Sequence, residues 1–222
     1  MIHLYAVVEG LDELPPVAGL SDAPLERLRV QDLDVVVSDG PAGGPETSDE
    51  SVLRHALVVE ELMQRSAAVL PGRLGQGFSD ASALARAVRA DADRLKTALH
   101  RVRGCVELGL RVMRPEPEPA AGSESPGGAE YMRSRLAEKG ELERLAAEID
   151  EPLTRLSRAS TCRSGETPRM LLEAAYLVPL DGVMPFRAEV ARLESSRPEL
   201  AFVCTGPWPP YSFASKDGEE GA

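Results

Sequence analysis

Apolar residues follow two rhythms along the chain. Residues 2–8, IHLYAVV, and 33–38, LDVVVS, are compact β-rich runs and predict two strands. Between them Pro15, Pro16, Gly19 and Pro24 predict an irregular connection over 9–24. The period then lengthens. Ser48 is placed as an N-cap, with Asp49 and Glu50 in the first turn, and Leu53, Leu57, Glu60, Glu61, Gln64 and Ala68 fit a helix to about residue 68. Pro71 and three glycines in VLPGRLGQGF, residues 69–78, break it. Asp80 or Ser82 opens a further helix, with Leu84, Val88, Leu95, Leu99 and Val102 on one face and Gly104 as its stop.

Alternation returns at 105–113, CVELGLRVM, which predicts a half-buried strand. The segment 114–128, RPEPEPAAGSESPGG, carries too little apolar surface to offset its ordering and predicts a mobile loop. A long helix over 129–157 carries Leu142, Leu145, Ile149, Leu153 and Leu156 on one stripe, with Pro152 expected to kink or divide it. STCRSGETP reads as a loop, 170–179 as a strand, 183–196 as a helix and 200–206 as the last strand. The fold class is α+β in two domains, 1–103 and 104–213, followed by a disordered acidic tail at 214–222. The second domain is expected to be a modified ferredoxin-like βαββαβ sandwich with a long helix, one element missing or irregular.

Charge narrows the function. A formal net charge of -11 argues against nucleic acid as a partner and against an anionic membrane surface. MIHLYAVVEG has no basic leader, and no apolar run reaches the roughly 18 residues that span a bilayer. Cys105, Cys162 and Cys204 are odd in number and widely spaced, which fits reduced thiols in the cytoplasm. His3, His55 and His100 lack metal-ligand spacing and read as ordinary imidazoles. Gly72, Gly75 and Gly77 reverse the dinucleotide fingerprint and lack a following Walker lysine, so a tight backbone crossing is expected there. Glu60 and Glu61 read as a solvated face. No catalytic, cofactor or metal constellation stands out, and the chain is read as non-enzymatic.

Two stretches remain as candidates for partner contact. On the long helix, Leu142 and Leu145 belong to a stripe, flanked by Arg135 among other charged residues, that packs on its own domain or meets another protein. Near the end, GPWPPYSF places Trp208, Tyr211 and Phe213 among three prolines. These rings either brace an apolar edge or seam, in which case Trp208→Ala costs a few kcal/mol, or dock a partner.

Several segments resemble the gas vesicle protein F/L family, in the family's order and across nearly the whole chain. They are HLYAVVEG, LPGRLGQGF, ELGLRV at 107–112, GGAEYMRSR at 127–135, EAAYLVP at 173–179 and TGPWPPYSF, the last being the most specific. Leu74, Gln76 and Leu108 depart from the residues common in the family. The resemblance implies an accessory protein that builds gas vesicles, the gas-filled flotation organelles of some prokaryotes. It implies two α+β domains, the second ferredoxin-like, and contacts with the hydrophobic shell subunit and other accessory proteins. The alternatives are an enzyme or a ligand-sensing module on the same scaffold.

Overall fold

The computed structural model describes residues 1–40, 48–115, 128–163 and 169–214. Contacts divide the chain into two compact units, Met1–Glu107 with Trp208–Ala222, and Leu108–Pro207. The terminal aromatic segment therefore belongs with the N-terminal unit, whereas the sequence reading placed it in the second. Its anchors, Arg101 and Glu107, are more than a hundred residues away in the chain.

The first unit is built on β1 (Ile2–Glu9). It pairs antiparallel with β3 (Leu33–Asp39), β4 (Ala68–Pro71) and the short β5 (Gly77–Phe78), and β2 (Leu25–Val30) flanks β3, giving the order β2-β3-β1-β4. Residues of both parities are buried along the central strands, Tyr5, Ala6 and Val8 as well as Val7, which explains their continuous apolar runs. Helix α1 (Asp49–Arg65) supplies Val58, Val59 and Leu62 to the cluster holding Tyr5, Val8, Val36 and Val69. Helices α2 (Ala81–Ala90) and α3 (Ala92–Val102) pack against β1, β2 and β4.

Ser48 caps α1 as expected, its side chain accepting from the Ser51 amide at 3.2 Å. The helix ends at Arg65, not near 68, because Ala68–Pro71 is a buried strand on β1. Its inward face is His55, Val58, Val59 and Leu62, while Leu53 and Leu57 are exposed. The single helix expected over 80–102 is two helices meeting at Asp91. Strand β2 was not foreseen. Leu25, Leu28 and Val30 are interspersed with charged residues, without strict alternation, along a flank of the sheet, and the turn to β3 uses Gln31 at φ 56 rather than an Asn-Gly signal.

The second unit contains β6 (Cys105–Met113), α4 (Gly128–Arg155), β7 (Ala159–Arg163), β8 (Met170–Pro179), α5 (Val183–Ser196) and β9 (Ala201–Trp208). The chain passes between the units within β6 and within β9. The strand order β7-β8-β6-β9 is the ferredoxin-like order, so the fold class holds. The element expected to be missing is β7, which lay in a segment read as loop. Its polar residues sit on an edge strand whose register is set by antiparallel pairing with β8, Ser160 opposite Tyr176. Pro152 does not divide α4; it lies in the last turn, where its missing N–H forfeits one bond, to the Glu148 carbonyl, and the helix ends three residues later at Arg155.

Ile149 and Leu153 of α4 join Tyr176, Phe186 and Leu193 in the core, and Tyr176 donates to Asp150 Oδ1 at 2.6 Å. Most of the loop expected at 114–128, residues 164–168 and the tail from 215 lie outside the described residues.

Candidate partner-contact site

Pro209 and Pro210 are buried and lead into a single helical turn, α6 (Tyr211–Ala214). Both ends of that turn are held by side chains from distant sequence. Ser212 donates its amide and its hydroxyl to the two oxygens of Glu107, each at 2.8 Å. The Arg101 guanidinium donates to the Phe213 carbonyl at 2.7 Å and lies 5.9 Å from that ring's centroid. The acid meets an amide and a hydroxyl and the base meets a carbonyl, so both clamps are charge-assisted. Phe213 is buried at 4% exposure, packed with α6 against α3 and β4.

The other two rings of the motif behave differently. Trp208 is 46% exposed and Tyr211 36%. Together with Pro209, Ala56 and Glu60 of α1, and Glu107, they line a pocket of about 220 Å³. Burial pushes the Glu107 carboxyl up, opposed by the bonds from Ser212. The Tyr211 hydroxyl is pushed up to about 12, first by burial and then by the negative charges of Glu60 and Glu107. Along α1 the exposed Leu53 and Leu57 continue the apolar surface, one turn from Ala56 and Glu60 respectively.

Of the six residues expected to touch a partner, Trp208 and Tyr211 come together at this pocket and Phe213 lies in the core as their anchor. Leu142 and Leu145 of α4 pack against the core of the second unit, while Arg135 is exposed and 3.9 Å from Glu138. The exposed part of α4 is instead its first half, including Met132 and Leu136. The sequence reading missed Ala56, Glu60 and Glu107. Glu107 was legible only as an outward residue of an alternating strand, and nothing local joins it to a serine 105 positions on.

Two of the histidines, His3 and His55, are buried, unlike the surface or half-buried imidazoles expected, while His100 is exposed as expected. His55 Nε2 donates to the Gly72 carbonyl at 3.0 Å, which leaves its Nδ1 to accept from His3 Nε2 at 2.9 Å. His3 Nδ1 is then a buried acceptor with no hydrogen-bond partner among the described residues. Burial, and secondarily the neighbouring His55, lower His3 to about 4. Beside them the Leu20 amide donates to the Tyr5 hydroxyl at 2.6 Å, and Tyr5 bonds Ser38 at 3.0 Å. Gly72 makes the tight crossing expected of its loop: a Cβ there would lie 2.9 Å from the Leu4 carbonyl oxygen.

Cys162 is exposed on β7, its thiol pushed up by partial desolvation and by Asp150. Neither arrangement supplies an activated nucleophile. Among the described residues no group of three or more potential ligands is placed to hold a metal, and no helix is long and apolar enough to cross a membrane.

The sequence profile of the family described as gas vesicle synthesis protein GvpL/GvpF matches residues 1–215. The chain belongs to this GvpL/GvpF family. It is 27% identical over 215 residues to gas vesicle protein F1 of Halobacterium salinarum, covering 96% of this chain and 92% of that one. It is 30% identical over 249 residues to gas vesicle protein L of a Streptomyces species, with 96% and 92% covered. The crystal structure of the gas vesicle protein GvpF from Anabaena superposes with a TM-score of 0.81 at 16% identity, covering 100% of this chain and 98% of that one, which establishes the shared fold. The GvpL/GvpF resemblance read from the motifs is thus established over nearly the whole chain.

Proposed function

We propose that this member of the GvpL/GvpF family is a non-enzymatic accessory protein of gas vesicle assembly that binds the hydrophobic shell subunit, and other accessory gas vesicle proteins, in the cytoplasm. Membership of the family supports the accessory role. The observation that carries the binding is the exposed pair Trp208, at the end of β9, and Tyr211, on the turn that Glu107 and Arg101 clamp. Large rings held rigid before binding lose little entropy on docking, which is how aromatic anchors come to dominate contact surfaces.

A shell subunit that assembles through apolar, β-rich surfaces aggregates when those surfaces stay uncovered. A partner with a net charge of -11 covers them while keeping the complex dispersed. The test is co-expression of the tagged chain with the untagged shell subunit. Soluble co-elution that survives moderate salt is expected. A well-folded chain that retains no subunit would turn the proposal towards a scaffold meeting accessory proteins alone.

A further inference from the structure

Resting on the partner-binding reading above, we propose that the Trp208 pocket receives an arginine or lysine side chain of the partner, with neighbouring apolar residues of the same segment lying on Leu53 and Leu57. Three features fit one occupant. Trp208, Tyr211 and Pro209 supply apolar walls, and the faces of aromatic rings attract cations. Glu60 and Glu107 add two carboxylates to the same lining, and among the described residues that lining holds no basic side chain. Both carboxylates lie near enough to raise the Tyr211 hydroxyl, so their fields converge on the pocket.

The alternatives fit less well. An acidic side chain would meet two like charges, and an aliphatic one would cover Glu60 without compensating it. About 220 Å³ is the scale of a side chain, smaller than a drug-sized ligand site. Glu107 is already held by Ser212, so its carboxyl group is positioned before the cation arrives. The exposed Leu53 and Leu57 extend the surface along α1, which suits a segment carrying a basic residue among apolar ones.

Trp208 is the sole tryptophan, so its emission reports this pocket. The full chain is titrated with N-acetyl-arginine amide, with the neutral N-acetyl-citrulline amide of similar shape, and with N-acetyl-norleucine amide. Saturable change with the arginine probe is expected, with the citrulline probe about tenfold weaker. Glu60→Gln should weaken the arginine probe and leave the circular dichroism spectrum unchanged. Equal binding of the neutral probes, or no response of Trp208 to any of them, would overturn the proposal.

A second arm separates this idea from the reading it rests on, using Glu60→Lys in the co-expression experiment. Subunit retained by the wild-type chain and lost by the variant supports the pocket. Retention by both overturns the pocket and leaves shell-subunit binding standing. If neither retains the subunit while the arginine probe still titrates, shell-subunit binding fails and the cation site stands.

Discussion

The two halves of α4 carry apolar residues at similar spacing and meet opposite fates. Ile149 and Leu153 are fully buried, whereas Met132 and Leu136, earlier in the same helix, are 58% and 63% exposed. The terminal motif repeats the contrast over five residues, with Phe213 inside and Trp208 half outside. Periodicity says which residues share a face, but a face is buried only where another element lies opposite it. In α4 that element is present for the second half, where Leu142, Leu145 and Ala146 also pack on the core. Buried apolar residues here hold each unit together from within; exposed ones at equal spacing are the material from which contacts with other molecules are made.

The contrast is sharpest in stability. Phe213→Ala removes a buried ring from under Arg101 and should lower unfolding stability by about 3–5 kcal/mol, read from urea denaturation. Equal losses for Phe213→Ala and Trp208→Ala would erase the distinction between anchor and surface ring. Leu153→Ala should cost about 2–5 kcal/mol, and Leu136→Ala should stay within about 0.5 kcal/mol of wild type. A large loss at Leu136 would mean that the first half of α4 is covered after all.

The buried histidine pair gives the next effect. His3 is held at about 4 in the folded chain against 6.5 ordinarily, so the unfolded chain takes up a proton that the folded chain refuses. That stability is present above pH 6.5 and is lost as pH falls from 6.5 towards 4, by roughly 3 kcal/mol in all. Denaturation midpoints across that range should fall, and His3→Gln should flatten the slope. An unchanged slope would assign the acid sensitivity to other groups.

A smaller stability effect than at the histidines belongs to Trp208→Ala, at about 1 kcal/mol or less for a half-exposed ring, below the few kcal/mol expected of a brace. The same substitution should strongly reduce co-elution of the shell subunit. Full retention of the subunit would return Trp208 to a structural role.

Much of the architecture was legible because long periodic segments announce themselves. The central strands, α5 and the extended strand β8 follow directly from their patterns, and the terminal motif stood out by composition. The misses share one cause. Strands β2 and β7 are polar segments at the flank or edge of a sheet, and they exist because a neighbour pairs with them. The inward face of α1 was not legible because His55, on that face, is polar and is buried through a hydrogen-bonded partner on β1, His3, while the more hydrophobic Leu53 and Leu57 face outward. The pocket was invisible for the same reason. Glu60, Glu107 and Trp208 come from three distant places, and only their meeting gives them a common use.

The clamp between Glu107 and Ser212 also sets an order in time. A ribosome lays down β1, α1 and Glu107 long before it reaches Trp208, and the earlier residues can begin to fold while the later ones are still being made. The aromatic surface is therefore the last part of its unit to be finished. A nascent chain presents Leu53 and Glu60 without the rings that complete the pocket. On the proposed reading, partner capture would wait for a chain synthesised past Phe213, with translation as its timer.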